Sequence, residues 1–139
     1  MKFLKMACVF VVGLIAMNFA LVYAASELGG EVVTLIRANE DGSSSRVRVW
    51  IVDQNGRSWI DHGGSDAYWV RHLTQDDSIR LERNNEVRHY TAVADKSACS
   101  LYDELRRQKY GWADQVIDTM TGVDSSNCAE VPVRLELAE

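Results

Sequence analysis

The stretch DHGGSDAYWVRHL at positions 61–73 holds the densest group of side chains that could bind a ligand. Its glycines allow a ligand to approach the backbone closely, and the start of the helix expected after them offers free N–H groups to an anion. Aromatic rings can lie against a flat ring system, and a guanidinium can bind a phosphate or carboxylate through two hydrogen bonds. The residues that we expect to bind a ligand here are His62, Gly63, Gly64, Trp69 and Arg71, and the candidate catalytic proton donors are Tyr68 and His72.

The strand expected over Arg46–Asp53 presents further ligand-binding groups on one face. Side chains alternate between the two faces of a strand, so Arg46, Arg48 and Trp50 lie on the same side. Together with the 61–73 stretch, this face predicts a binding site for a planar, anionic molecule. The alternative interpretation is that the arginines lie on a solvated face and the aromatic rings fill the core.

Several other kinds of chemistry lack their residue patterns in this chain. The histidines, His62, His72 and His89, do not have the spacing of a metal-binding motif, so we expect no metal site. The cysteines form no Cys-x-x-Cys pair, and there is no Gly-x-Ser-x-Gly turn, P-loop or dinucleotide-binding glycine motif. The net charge of −5 over 139 residues argues against nucleic-acid binding, which needs a basic surface.

The N-terminal segment differs in character from the rest of the chain. Lys2 and Lys5 precede an apolar run of 20 residues from Met6 to Ala25, about the length that a helix needs to cross a bilayer. The lysines should stay in the cytoplasm, so we expect the following domain to be exported. The run is either an uncleaved membrane anchor or a signal peptide, since Val22-Tyr23-Ala24 places small residues at the positions that a signal peptidase requires. The predicted organisation is therefore a segment 1–25 that is cleaved or anchors the chain, and one domain over residues 26–139.

Two cysteines lie in the expected domain, and their state follows from the compartment. Cys8 is in the apolar run, which leaves Cys99 and Cys128 as an even pair. In an oxidising compartment these two could form a disulfide. The alternative is a pair of free, buried thiols, and their spacing alone does not decide between the two states.

The elements that must position the candidate site are mostly short strands. Six strands are expected, over residues 31–38, 46–53, 57–61, 78–83, 87–94 and 131–137, with Pro132 indicating that the last begins at a sheet edge. Helices are expected over residues 66–73, 97–109 and 112–120. This order predicts a mainly β (α+β) domain, a six-stranded antiparallel barrel with peripheral helices, preceded by the N-terminal hydrophobic helix.

With these elements in place, the sequence resembles a known family. The order RVRVWIVDQNGRSWIDHGG, YWVRHL and SIRLER, then a helix running into KYGWADQVIDTM and a closing VPVRLEL, is similar to that of the deazaflavin-dependent nitroreductases. That family belongs to the FMN-binding split β-barrel proteins, which have pyridoxamine-phosphate-oxidase-like folds. The resemblance covers roughly residues 31–139, and its best markers are the Gly63-Gly64 turn with Trp69 after it and the Tyr110 helix that leads to the final strand.

The resemblance implies both a cofactor and an activity. Such a split barrel binds coenzyme F420 or FMN, often as a homodimer, and passes a hydride to a small electrophilic acceptor such as a nitroaromatic or a quinone. The residues that the resemblance places near the ring system are Gly63, Gly64, Tyr68 and Trp69, and those near the phosphate-bearing tail are Arg46 and Arg48.

One loop departs from the family pattern. Where the family often has a basic Gly-Arg-Lys-Ser-Gly loop that helps to bind the cofactor tail, this chain has NEDGSSS at positions 39–45. The two acids of this loop, Glu40 and Asp41, would repel a polyanionic tail. The alternative function is therefore that of a non-enzymatic protein on the same fold, which either binds a small ligand or serves as a structural protein of the cell envelope.

Overall fold

The computed structural model describes residues 2–122 and 128–138 and contains an N-terminal helix, a seven-stranded antiparallel sheet and three further helices. The helices are α1 (Lys2–Leu28), α2 (Tyr68–His72), α3 (Cys99–Tyr110) and α4 (Trp112–Thr121), with a 3-10 turn at Lys96–Ala98 before α3. The strands are β1 (Val32–Ala38), β2 (Ser44–Trp50), β3 (Val52–Gln54), β4 (Arg57–Asp61), β5 (Ser78–Arg83), β6 (Glu86–Ala94) and β7 (Pro132–Leu137).

The order of the strands forces the sheet to close on itself. The order is β2-β1-β5-β6-β7-β4-β3, so β2 and β3 are at opposite edges. Only Ile51 separates these two strands in the chain, and a single residue can join the two edges only if the sheet curls round. The result is the antiparallel split β-barrel with peripheral helices that the sequence predicts. Its strand count is seven rather than six because the 46–53 run is divided at Ile51.

The expectation that the last strand begins at a sheet edge is wrong. β7 pairs with β6 on one side and with β4 on the other. Pro132 is the first residue of the strand, a position where the missing N–H is tolerated inside a sheet.

The barrel interior takes the alternate side chains of the strands, as their period of two predicts. On β2 and the following residue, Val49 and Ile51 are buried in the core, and Val47 packs against it. The other core residues include Val33, Leu35, Ile60, Trp69, Leu81, Val133 and Leu135. A second, smaller cluster joins α3 to the outer side of β3 and β4 and consists of Val52, Trp59, Ala98, Tyr102 and Tyr110.

The corner at Ile51 is completed by the last residue of α3. Ile51 belongs to neither strand ladder, and its N–H donates a hydrogen bond to the Tyr110 hydroxyl at 2.9 Å. The hydroxyl in turn lies 2.6 Å from the Ile51 carbonyl and 2.8 Å from the Glu31 carbonyl. The Tyr110 ring leaves no room beside it, because a Cβ on Gly30 would lie 1.9 Å from its Cδ1.

An ion-pair network surrounds the same corner. Arg83, at the end of β5, donates to both Glu31 and Asp53 over 2.6 to 3.0 Å, and Lys109 donates to Glu31 and to the Ile51 carbonyl, each at 2.7 Å. Burial disfavours the ionised form of Asp53, but hydrogen bonds from Arg83 and Ser58 outweigh it and lower the pKa of this carboxyl to about 2. The network therefore ties the residue before β1 to β3, β5 and α3.

A disulfide links α3 to the segment before β7. Cys99 and Cys128 are bonded, with their Cα atoms 5.9 Å apart, a separation ordinary for a disulfide. Of the two alternatives that the sequence leaves open, the structure has the bridge.

We expect Tyr110→Phe to destabilise the chain by about 1–3 kcal/mol, since it leaves the buried N–H of Ile51 without its partner. Urea denaturation of the full chain in detergent measures the change. Tyr68→Phe is the matched control, because Tyr68 lies half-buried on α2, where its ring stacks on His72. The prediction fails if the two variants unfold at the same urea concentration.

Candidate ligand cleft

A cleft of about 230 Å³ opens where β2 and the end of β4 meet three helices. The last turn of α1 contributes to it, together with α3 and α4. Its lining residues are Glu27, Val32, Arg48, Val49, Trp50, Asp61, His62, Arg106 and Ile117. Three residues that the sequence singled out as cofactor-binding, Arg48, Trp50 and His62, therefore lie in one place.

The aromatic wall of the cleft is held in position from behind. The Trp50 ring stacks on Tyr110, with the ring centroids 4.2 Å apart and the planes 9° from parallel. Because the hydrogen bonds at the Ile51 corner fix Tyr110, they also fix the orientation of Trp50. The Trp50 side chain is thus already ordered before a flat ring binds, so binding does not cost the entropy of ordering it.

The exposed cation of the cleft already has a partner. Arg48 on β2 forms an ion pair with Glu27 of α1, and its Nε donates to Glu27 Oε1 at 2.9 Å. A fork of this kind is the geometry that a carboxylate or phosphate of a ligand would use. An anionic ligand must therefore replace Glu27.

The two glycines after His62 build the turn that ends β4. Gly63 has a φ of +111°, which favours glycine, and its carbonyl accepts the Val131 N–H at 3.1 Å. A Cβ on Gly64 would lie 2.8 Å from the Asp66 side chain. Both glycines follow the cleft residue His62 in sequence but do not line the cleft themselves.

Trp69 belongs to the barrel core and not to the cleft. It is 3% exposed, and its Nε1–H donates to the His62 carbonyl at 2.7 Å. It therefore supports the backbone of a cleft residue from the inside. The core position matches the alternative interpretation given above for the aromatic rings.

The remaining predicted residues lie away from this cleft. Arg46 forms an ion pair with Glu82 on β5, across the intervening β1. Tyr68 and His72 stack on each other on α2, with ring centroids 5.4 Å apart. Arg71 is exposed on the same short helix. The ligand-binding and catalytic roles of these residues stay predictions.

Asp61 is a cleft residue that sequence reasoning missed. Burial, with the nearby charge of Glu130, raises the pKa of its carboxyl to about 6, although Tyr102 donates a hydrogen bond to it at 2.8 Å. A carboxylic acid that titrates near neutral pH can both hold and release a proton, which is what a general acid requires. The sequence could have indicated Asp61 by its position two residues after Trp59 on the same strand. That spacing puts its carboxyl on the same face of β4 as the buried Trp59 ring.

Two more groups set the electrostatics of the cleft. Arg106 of α3 is largely buried, with its Nε 2.7 Å from Asp114 Oδ1, in an orientation that makes an ion pair rather than a well-aligned hydrogen bond. Burial and the charge of Arg37 lower the pKa of His62, so its imidazole is neutral at neutral pH. The cleft therefore contains balanced charges and an apolar wall. Within the described residues, no three His, Cys, Asp or Glu side chains are grouped so that they could hold a metal ion.

Comparisons with known proteins define the class of fold. The chain matches no protein-family model, and no curated protein sequence is significantly similar to it. A Listeria innocua protein assigned as a pyridoxamine 5′-phosphate oxidase aligns at a TM-score of 0.52 and 10% identity, over 85% of this chain and 91% of that one. The haem storage protein HutZ from Vibrio cholerae aligns at 0.51 and 12% identity, over 78% and 82% of the two chains. An F420-H2-dependent reductase aligns at 0.49 and 17% identity, over 76% and 94%.

The first two similarities, each with a TM-score above 0.5, establish the fold. The chain has the split β-barrel architecture of the pyridoxamine-phosphate-oxidase-like proteins, as the resemblance read from the sequence implies. Identities of 10% and 12% carry no information about the reaction, because one fold hosts many activities. Function has to be argued from the cleft.

We expect Asp61→Asn to stabilise the protein at pH 8 by about 3 kcal/mol, with a gain that shrinks to nothing below pH 4. The pKa of Asp61 is raised in the folded state, so ionisation penalises folding. That penalty grows as the pH rises from about 4 to about 6 and is constant above. The asparagine carries no charge and can still accept the Tyr102 hydrogen bond.

Urea midpoints of the full chain at pH 4, 6 and 8 measure this effect. Asp77→Asn is the control, because Asp77 is exposed and its backbone carbonyl, not its side chain, accepts the Ala92 N–H. The control should change stability by less than about 0.5 kcal/mol at each pH. A gain for Asp61→Asn that is independent of pH would contradict the assignment.

Proposed function

We propose that this protein is an oxidoreductase of the split-barrel type, which binds the ring of a flavin or deazaflavin in the cleft and reduces a small electrophilic acceptor. The observation that carries the proposal is the convergence of Arg48, Trp50 and His62 with the titratable Asp61 in one cleft. The Listeria innocua protein with the same fold is assigned as a pyridoxamine 5′-phosphate oxidase, so an oxidoreductase on this architecture has a precedent.

The lining of the cleft fits a flat ring that bears one anionic group. Trp50, Val49 and Ile117 provide apolar and aromatic surface for the ring. Arg48 can bind the anionic group of the ligand once its ion pair with Glu27 is broken. The Arg48 side chain is 61% exposed, and exposed ion pairs of this kind contribute at most about 1 kcal/mol, so the exchange is inexpensive.

A reduced flavin or deazaflavin, when bound, supplies the hydride, and the protein supplies orientation and a proton. Asp61 is protonated in a substantial fraction of molecules just below neutral pH, and Tyr102 holds its carboxyl in place. Asp61 can therefore give a proton to an oxygen or nitrogen of an acceptor that reaches the cleft. His62, being neutral, can donate or accept a hydrogen bond there without adding charge.

The second candidate function is non-enzymatic binding of a small ligand, or a structural role in the cell envelope. Two observations favour it. The cleft volume of about 230 Å³ lies below the range of roughly 300–1,000 Å³ of typical small-molecule sites. In addition, Arg46 and Arg48, which the family resemblance assigns to the cofactor tail, are both paired with carboxylates of this chain.

Titration of the full chain in detergent with FMN, reduced F420 and haem separates the two functions. We expect FMN or F420 to bind at micromolar concentration, with quenching of tryptophan fluorescence because Trp50 lines the cleft. Trp50→Leu should remove most of that quenching. Binding of haem alone would favour the non-enzymatic function, and binding of none of the three would overturn the enzymatic one.

We also expect Arg48→Gln to weaken binding of the flavin or deazaflavin about tenfold, since it removes a charged fork worth about 1.4 kcal/mol. Arg57→Gln is the matched control. Arg57 also lies on a strand, is 55% exposed and pairs with a carboxylate, that of Glu136, but it is outside the cleft. Equal affinities of the two variants, measured by the same fluorescence titration, would remove Arg48 from the proposed site.

A further inference from the structure

Helix α1 presents an apolar surface that the described protein does not cover. Met6, Val9, Phe10 and Phe19 are each about 70% exposed, and the large apolar side chains between them are 46% to 64% exposed. The segment Met6–Ala25 is long and apolar enough to cross a membrane. Such a surface requires either lipid or another apolar partner.

The last third of the same helix is packed into the domain. Asn18, Val22 and Ala25 recur at the spacing of one helix face and are the less exposed positions there, and Ala25 is only 1% exposed. The Asn18 side-chain N–H donates to Met120 Sδ of α4 at 3.4 Å. A Cβ on Gly29 would lie 2.1 Å from Ala113 Cβ, so the chain after the helix also packs against α4.

Only Gly29, Gly30 and Glu31 lie between the end of α1 and the start of β1, so the connection from the apolar segment to the barrel is short. Ala24 and Ala25 lie inside α1, whose last turns continue to Leu28, and the Ala25 carbonyl accepts the Gly29 N–H at 3.0 Å. Glu27, one residue before the helix ends, pairs with Arg48 of β2. Cleavage after Ala24 would need this helix to open locally and would remove the contact of Asn18 with Met120 of α4.

We propose that α1 is retained in the mature protein as a membrane anchor, that its partner is the lipid bilayer, and that the α1–α4 pair seats the barrel directly on the membrane surface. Residues 6–17, which precede the contact with α4, span only about 18 Å as a helix. Crossing roughly 30 Å of hydrocarbon therefore requires the segment up to Ala25, which brings the Met120 end of α4 to the membrane.

Two independent features agree with this placement. Tyr23 near the end of the apolar segment and Trp112 at the start of α4 are both exposed and are the residue types enriched at membrane interfaces. The Cys99–Cys128 disulfide requires an oxidising compartment, and Lys2 and Lys5 at the other end of α1 favour the cytoplasmic side. The disulfide and the two lysines therefore both place the barrel outside the cytoplasm. The ligand cleft, with Glu27 in its lining, then opens at the level of the lipid head groups.

The first test is the intact mass of the full chain, expressed with a C-terminal tag in a bacterial host, together with carbonate extraction of its membranes. We expect all residues up to the N-terminus to be present and the protein to stay in the membrane pellet. The variant Ala24→Leu, which removes the small residue that a signal peptidase needs, should have the mass of the unprocessed chain like the wild type. A wild type shorter than this variant by 24 residues overturns the proposal.

The second test uses the free thiol of Cys8, which is exposed on α1, whereas Cys99 and Cys128 are bonded to each other. A fluorophore on Cys8 should be quenched by nitroxide-bearing lipids after reconstitution into vesicles. The control is Ser100→Cys in a Cys8→Ser background, on the exposed surface of α3, which should not be quenched. An unquenched Cys8, or release by carbonate as an oligomer in which a second copy covers α1, overturns the proposal.

Discussion

The structure depends on the corner at Ile51, where the chain passes from one edge of the sheet to the other. The peptide groups of this residue cannot join either ladder, and a buried peptide without partners is costly. The Tyr110 hydroxyl supplies those partners, since it accepts from the Ile51 N–H and lies against the Ile51 carbonyl. Closure of the barrel is thus coupled to the docking of α3. The charged network of Arg83, Lys109 and their carboxylate partners reinforces the same junction.

The same helix also shapes the cleft. Tyr110 supports the ring of Trp50, while Arg106, one turn earlier, lines the cleft, and Tyr102 holds the carboxyl of Asp61. A single element therefore closes the barrel, orients the aromatic wall and positions the carboxyl of Asp61, whose raised pKa comes from burial and the charge of Glu130. Preorganisation of this kind is useful for a ligand site, because the ordering cost is met by folding and not by binding.

Three arginines, two on β2 and one on α3, are paired with carboxylates of the chain itself. Arg46 pairs with Glu82, Arg48 with Glu27, and Arg106 with Asp114. A net acidic chain can surround its cations in this way, so arginines grouped in sequence need not form an anion-binding surface. A ligand must compete with these pairs, which is inexpensive at the exposed Arg48 and costly at the buried Arg106. This difference makes Arg48 the cleft cation best suited to contact a ligand.

The sequence by itself determined the strands, most helices and the apolar segment, because periodicity reveals the type of each element and which side chains share a face within it. It also indicated three cleft residues, Arg48, Trp50 and His62. It could not reveal the break at Ile51, because the alternation runs unbroken through 46–53, or the central position of β7. Only the tertiary structure decided whether Trp69 lines a cleft or fills the core. It also decided which residues line the cleft together with Asp61 and Arg106. Those outcomes depend on which distant strands and helices become neighbours. The local sequence pattern does not specify such long-range contacts.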